Sequence, residues 1–268
     1  SALTPKTKAI VAVSILGNPA ALNVIRAFAD EHGLYMLEDN CESLDAELGG
    51  KKTGTFGDIG TFSFFFSHHI STGEGGMLLT DDAEIDGLAR AARAHGWTRD
   101  VPDGTGQFEP MNDSFAEAYR FVIPGYNLRP QEFNGAAGLE QLKKLPAMTE
   151  RRRANLALLQ DAFGDDERFM IQRENGKSSS FCFPMIVKPD CGLERADVFG
   201  PLEEADIGFR MITGGNFPRH DAIQYFDYDI VGDLANADIV HDHGFFVGNH
   251  PFDLSQQIET LRDVLNQI

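Results

Sequence analysis

The sequence has few cysteines and no long apolar run. Its only cysteines, Cys41, Cys182 and Cys191, form no CxxC pair and no even set, which argues against a disulfide framework and fits thiols in a reducing compartment. No apolar stretch approaches the length of a membrane span, and the N-terminus lacks a charged-then-apolar signal pattern. We therefore expect a cytoplasmic protein without a membrane partner.

Positive charge is also scarce. The formal net charge is -18 and the pI is near 4.7, so a nucleic-acid backbone would be repelled and a nucleic-acid partner is not expected. The one dense basic run, Arg151 to Arg153, is typical of a solvated helix face, and contact with an anionic substrate is the alternative.

Metal and phosphate motifs are equally sparse. His241 and His243 form an HxH pair, but no further ligand stands at a supporting spacing, so we expect surface histidines and no metal site. The glycines at 73, 75 and 76 lack a GxGxxG pattern and no helix follows them directly, which favours a tight turn over a phosphate-binding loop.

The first ordered pattern is strand, helix, strand. A β-branched run from Lys8 to Ser14 predicts a buried strand, residues 19–31 carry an apolar helix face, and residues 34–37 predict a second strand. The acidic loop Glu38 to Glu42 follows that strand. This order predicts a right-handed βαβ unit with the polar loop at the carboxyl end of the sheet.

The stretch from Thr61 to Thr80 places two apolar strands on either side of Ser67, His68 and His69 and a glycine-rich turn. Polar side chains between two buried strands are typical of a cleft at the strand ends, so we expect the functional chemistry here.

The remainder predicts a helix over 81–94, a loop over 100–118 and two helices, 131–142 and 149–163, that are separated near Pro146. Strands at 169–172 and 181–187, a short helix from Leu193 and a terminal helix over 254–268 follow. We predict a large domain over 1–146 and a smaller α+β domain over 147–268.

Several motifs together carry a family resemblance. Asp39, Ser63, the SHHISTGEGG turn at 67–76 and PGYN at 124–127 resemble the vitamin B6-dependent sugar aminotransferases of the DegT/DnrJ/EryC1/StrS family. The resemblance implies the α/β architecture of fold type I: a mostly parallel sheet sandwiched by helices, plus the smaller C-terminal domain. It also implies an upstream portion, so we expect the large domain to be represented by its C-terminal part.

The resemblance assigns roles to three of these positions. It implies that Asp39 pairs with the pyridine nitrogen of the cofactor, that Ser63 helps to hold its phosphate, and that a lysine five residues after this serine binds the cofactor covalently. Here that position is His68. An imidazole has no primary amine but carries a proton near neutral pH, so the replacement predicts noncovalent pyridoxamine 5'-phosphate with His68 as acid and base.

A subfamily with this replacement removes the C3 hydroxyl of nucleotide-linked 4-keto-6-deoxyhexoses. Further segments are similar to it: LGNP at 16–19, EDNCES at 38–43, TGTFG at 53–57, RAHGWTR at 93–99 and EQLKKLP at 140–146. The resemblance implies pyridoxamine or pyridoxal 5'-phosphate as cofactor, glutamate as amino donor and a role in deoxysugar and lipopolysaccharide biosynthesis. Some relatives carry an iron-sulfur cluster, which needs four ligands. With three cysteines, no cluster is expected.

Other site residues follow from the same resemblance. Glu42 is expected near the cofactor ring, His95 and Arg99 near the substrate, and Asn127 at the cofactor phosphate of the neighbouring subunit, which implies a homodimer with shared sites. Several of the predicted site residues also have a structural alternative. These alternatives are packing for His68 and His95, a turn for Asp39 and Asn127, and solvation for Glu42.

Two functional alternatives stay open. A pyridoxal phosphate-dependent nucleotide-sugar aminotransferase would need a lysine, and the nearest upstream ones, Lys51 and Lys52, lie outside the motif. A catalytically silent homologue that acts as a binding subunit is the other alternative.

Overall fold

The computed structural model describes residues 2–102 and 108–268. Its first elements are β1 Ala9–Val13, α1 Leu22–His32, β2 Tyr35–Asp39, β3 Glu47–Leu48, β4 Lys51–Lys52, β5 Ile59–Ser63, β6 Gly76–Leu79 and α2 Ala83–Arg93. The remaining elements are α3 Ser114–Glu117, α4 Glu132–Phe163, β7 Phe169–Ile171, β8 Cys182–Val187, α5 Arg195–Glu204, β9 Phe209–Arg210, α6 Ala235–His243, β10 Gly244–Gly248 and α7 Ser255–Leu265.

The first sheet has the order β1-β2-β5-β6. β1, β2 and β5 are parallel, and β6 returns antiparallel to β5. Helix α1 buries Leu22 and Ala29 against Met36 of β2, and it ends at Gly33, whose left-handed φ of 63° closes the last turn. The predicted βαβ unit and the mostly parallel sheet are confirmed, but β1 and β6, which the sequence predicts as buried strands, are mostly exposed.

The glycine-rich turn before β6 is held by the start of α4. Asn134 donates from Nδ2 to the carbonyl of Thr72 at 2.8 Å and to that of Glu74 at 3.2 Å. The turn is thus fixed by a helix that comes later in the chain, and it connects β5 to β6 as the sequence predicts.

Helix α4 corrects one prediction. The two helices expected on either side of Pro146 form one continuous helix of 32 residues. Proline removes one N–H donor from the helix, but buried contacts on both sides, from Leu145 and Leu156, keep the segment helical.

The second sheet is antiparallel, in the order β7-β8-β10-β9. The main hydrophobic core of this half lies between the sheet and the helices α4, α5 and α7. Its fully buried members include Phe163, Phe169, Phe183, Met185, Leu202, Phe245 and Leu265.

A small third cluster, Leu16, Cys182 and Ile212, packs residues of the two halves together. The division into domains at 1–146 and 147–268 stays a prediction, which the two separate larger cores support.

The predicted loop over 100–118 contains the short helix α3, and its residues 103–107 lie outside the described residues. Among the residues the structure describes, no helix is long and apolar enough to cross a membrane.

Candidate active site

The predicted site residues of the first sheet lie at the carboxyl ends of two adjacent parallel strands. Asp39 ends β2 and pairs with Thr61 of β5, and Ser63 ends β5. The Ser63 hydroxyl accepts the Phe65 N–H at 3.3 Å, which turns the chain out of the strand. Strand ends of parallel sheets are where α/β proteins place their ligands.

His68 lies in the loop that leaves β5. The loop is closed by two hydrogen bonds, from the Thr72 N–H to the Phe64 carbonyl and from the Phe64 N–H to the Gly75 carbonyl, each 2.9 Å long. The His68 N–H donates to the Phe65 carbonyl at 3.0 Å, which forms a tight turn. The imidazole is therefore carried by a short, hydrogen-bonded loop.

The half-buried imidazole of His68 is a neutral base at neutral pH. Burial lowers its pKa below the ordinary value of 6.5, and the Ser63 carbonyl and the Asp39 charge oppose this shift only in part. Its Nδ1 is buried and has no hydrogen-bond partner among the described residues.

Asp39 and Glu42 form the acidic side of the site. Asp39 Oδ1 accepts the Cys41 N–H at 3.1 Å, and Glu42 Oε2 accepts the Leu16 N–H at 2.9 Å. Burial raises the pKa of Glu42, and the charge of Asp39 raises it further, although the Leu16 hydrogen bond acts in the opposite direction. Burial together with Asp39 raises the pKa of the Cys41 thiol to about 12, so this cysteine stays protonated.

His95, Arg99 and Asn127 lie together in a second group. The His95 N–H donates to the Tyr126 carbonyl at 2.8 Å, and Asn127 forms a β-bridge with Ala94. The Arg99 guanidinium lies over the Trp97 ring, 4.7 Å from its centroid. All three predicted residues are exposed.

No contact among the described residues links these two groups within the single chain. Within residues 2–102 and 108–268, no hydrogen bond, ion pair or ring contact joins His95, Arg99 or Asn127 to the group of Asp39, Glu42, Ser63 and His68. For Asn127 this agrees with the family resemblance, which implies that this residue serves the neighbouring subunit.

Two residues that matter to the site escaped the sequence reasoning. Phe181 packs its ring on His68 at a centroid distance of 5.3 Å, although it comes from the other half of the chain. Glu38 is fully buried, and its carboxylate accepts the N–H groups of Gly54, Phe56 and Gly57 at 2.6 to 2.7 Å. Its place directly before Asp39 in an alternating strand was the only available signal.

The residues present fit a noncovalently held pyridoxamine phosphate. The Asp39 carboxylate suits a protonated pyridine nitrogen, the Ser63 hydroxyl suits a phosphate, and the imidazole of His68, whose pKa is lowered by burial, suits a proton acceptor. The nearby lysines are engaged elsewhere. Lys52 binds the carboxylates of Asp45 and Glu47, and Lys51 lies over an aromatic ring.

The described residues contain no group of three or more histidine, cysteine, aspartate or glutamate side chains that could hold a metal ion. All three cysteines are free, and only Cys182 is fully buried. The absence of an iron-sulfur cluster stays a prediction.

Comparison with known proteins identifies close relatives. The chain is 46% identical over 271 residues to a GDP-4-keto-6-deoxy-D-mannose 3-dehydratase of Yersinia pseudotuberculosis, covering 100% of this chain and 68% of that protein. Two solved structures of GDP-4-keto-6-deoxymannose-3-dehydratase are 44% identical, and each match covers 98% of this chain and 69% of the other. One is a histidine-to-asparagine variant with bound GDP-perosamine, with a TM-score of 0.93, and the other holds a trapped PLP-glutamate geminal diamine, with a TM-score of 0.94.

More distant structures share the fold alone. An aminotransferase of pseudaminic acid biosynthesis from Helicobacter pylori superposes with a TM-score of 0.83 at 22% identity, in agreement with the predicted fold type I. The model of the DegT/DnrJ/EryC1/StrS aminotransferase family matches residues 1–265. The family model and these relatives together show that the chain belongs to the DegT/DnrJ/EryC1/StrS aminotransferase family.

Proposed function

We propose that the chain is a pyridoxamine phosphate-dependent 3-dehydratase, which removes the C3 hydroxyl of a nucleotide-linked 4-keto-6-deoxyhexose. The observation that carries the proposal is a neutral, half-buried imidazole at position 68, next to Asp39 at the strand ends. The solved relatives with bound GDP-perosamine or a PLP-glutamate adduct support GDP-4-keto-6-deoxymannose as the first substrate to assay and glutamate as the amino donor.

When bound, pyridoxamine phosphate supplies an amine for the C4 ketone and a ring that accepts electrons. With the cofactor bound, the neutral His68 would accept, at its unprotonated ring nitrogen, the proton lost from the carbon that bears the cofactor amine, which its lowered pKa permits at neutral pH. The resulting imidazolium can return a proton to the departing C3 hydroxyl. A single residue thus serves as base and then as acid.

The remaining residues hold and orient the cofactor. Asp39, as a carboxylate, keeps a pyridine nitrogen protonated, and the hydroxyl of Ser63 donates to the phosphate. Glu42 accepts a hydrogen bond from the Leu16 N–H, and this bond fixes the loop between β1 and α1 against the loop after β2. It therefore shapes the wall of the site next to the cofactor ring.

We further propose a homodimer in which Asn127 reaches the cofactor phosphate of the neighbouring subunit. The exposure of Asn127 supports this arrangement, as does the fact that its described contacts are with Ala94 and Arg129 and not with the residues around His68. His95 and Arg99 lie in the same exposed group and are proposed to contact the substrate. The cytoplasmic location stays a prediction.

The experiment that tests the function compares His68→Asn with wild type. Each protein is incubated with pyridoxamine phosphate, glutamate and GDP-4-keto-6-deoxymannose, and the 3-deoxy product and ammonia are measured. We expect His68→Asn to lose at least about 100-fold in turnover, since general acid-base groups contribute about 10² to 10⁴, while it still binds pyridoxamine phosphate. Exposed His32 provides the control, and His32→Asn is expected to keep full activity.

The outcome separates the alternatives. Unchanged turnover in His68→Asn would refute the assigned role. An aminated sugar as product would indicate an aminotransferase. Binding of the nucleotide sugar without any product in wild type would indicate a silent binding subunit.

A further inference from the structure

A buried segment of the second half of the chain contacts His68 and its neighbour His69. Ser178, Ser179 and Ser180 are at most 2% exposed, and Phe181 follows them. The Phe181 ring lies 5.3 Å from the His68 ring at an interplanar angle of 69° and 5.6 Å from the His69 ring at 49°. These are the edge-to-face distances at which aromatic rings attract one another.

The backbone of Phe181 is fixed on both sides. Its N–H donates to the Leu16 carbonyl at 3.1 Å, and its own carbonyl accepts Nη1 of the buried Arg152 at 3.0 Å. The Ser179 N–H donates to the Gly17 carbonyl at 2.9 Å. Gly17 makes this approach possible, because a Cβ there would lie 2.5 Å from the Ser180 nitrogen.

The neighbouring histidine is tied to the same segment. His69 Nε2 lies 3.1 Å from the Ser179 carbonyl, so this nitrogen carries the proton and donates. The side chain next to His68 in the sequence is therefore fixed to the segment 178–181 by a hydrogen bond. Since the segment 178–181 contacts both His69 and the His68 ring, the position of the His68 ring depends on the second half of the chain.

We infer that Phe181 is a positioning residue for His68, an inference that rests on the proposed function. Its ring covers one side of the imidazole, excludes water from that side and restricts the ring to one orientation at the strand ends. The Phe65 ring also contacts this imidazole, at a centroid distance of 5.9 Å. Two phenyl rings therefore pack on the base.

The electrostatic surroundings of the pair are simple. The charged group that faces His68 is Asp39 at the end of β2, beside the Ser63 carbonyl, and the groups that face His69 are Arg152 of α4, Asp45 and His68 itself. None of these changes when Phe181 is replaced by another uncharged residue. A change in His68 titration on such a replacement would therefore report hydration and orientation of the ring.

The test replaces Phe181 by leucine in the full chain and measures the His68 titration by NMR of the imidazole carbon-bound protons. The His68 signal is assigned from its disappearance in His68→Asn. We expect the His68 pKa to rise by about half a unit or more towards its ordinary value, because hydration favours the charged ring. Phe181→Tyr, which keeps the ring, should retain the wild-type titration.

The control is Phe209→Leu, which removes a partly buried phenylalanine of the same antiparallel sheet that stacks on Phe199 instead. It should leave the His68 titration unchanged. If Phe181→Leu fails to fold, Phe181→Met gives the same reading with a flexible side chain of similar volume. An unchanged His68 pKa in the folded variant, or an equal shift in Phe209→Leu, would overturn the inference.

Steady-state kinetics of Phe181→Leu provide a second test. In Phe181→Leu we expect kcat to fall about 10-fold or more with little change in KM for the nucleotide sugar, because only the base is misplaced. Equal losses in kcat and in substrate binding would contradict a positioning role. If wild type itself lacks dehydratase activity, the proposed function fails, and the NMR titration still decides whether Phe181 positions His68.

Discussion

Replacing His69 by glutamine measures how strongly the protein interior disfavours a charged imidazole in the position next to His68. His69 is 2% exposed, and burial lowers its pKa from 6.5 to about 3, with a further contribution from the charge of Arg152 and opposition from the Ser179 carbonyl. In the unfolded chain the ring titrates near its ordinary value. Between these two pH values the unfolded state binds a proton that the folded state excludes.

The sign and the size follow from this difference. The contribution of His69 to stability is complete above pH 6.5 and is lost progressively as the pH falls from 6.5 towards about 3. Each pH unit within that window costs about 1.4 kcal/mol. Between about pH 7.5 and about pH 4.5, two units lie inside the window, so the free energy of unfolding should fall by roughly 3 kcal/mol on account of this residue.

His69→Gln removes the titration and keeps a donor for the Ser179 carbonyl. The lost contact with the Phe181 ring lowers stability by the same amount at both pH values. The carboxylates also titrate in this range, but they do so equally in wild type and variant. Subtracting the two proteins at each pH therefore isolates the imidazole.

The assay is equilibrium unfolding in urea at both pH values, followed by circular dichroism. We expect wild type to lose about 3 kcal/mol more than His69→Gln on acidification. His32→Gln, at an exposed site, should run parallel to wild type. A gap between wild type and His69→Gln that stays constant to within about 0.5 kcal/mol would refute the argument that His69 is held neutral by burial.

Three further predictions concern the same region. Glu38→Gln should lower the free energy of unfolding by about 2 to 4 kcal/mol, because one amide cannot accept from all three N–H groups that the carboxylate binds; a change below about 0.5 kcal/mol in urea unfolding would contradict it. Gly17→Ala should cost about 3 kcal/mol, since it combines a φ of +93° with a Cβ that would lie 2.5 Å from the Ser180 nitrogen. Gly33→Ala, where φ is +63° and no atom lies within 4 Å, should cost only about 1 kcal/mol, and equal costs for the two would contradict the crowding. His68→Lys should restore a primary amine to the site, so that borohydride fixes pyridoxal phosphate to this lysine in a peptide identified by mass spectrometry; no adduct would mean that position 68 does not face the cofactor.

Local pattern was sufficient for much of the fold. The order of β1, α1 and β2 and their parallel pairing follow from hydrophobic periodicity and from the glycine that ends α1. The same reasoning failed at Pro146, because a proline reads as a break when only its neighbours are considered. Buried contacts of α4 on both sides of the proline outweigh the one hydrogen bond it removes.

The sequence by itself determined which chemical groups are present: an imidazole where the family has a lysine, and a carboxylate and a hydroxyl at the ends of two successive strands. The motifs that carry the family resemblance are local in sequence, so Asp39, Ser63 and His68 could be predicted together from that resemblance. Only the tertiary structure decided what surrounds them. The lowered pKa of His68 and the contact with Phe181 depend on burial between segments that are distant in sequence, and no motif encodes how much water such packing excludes.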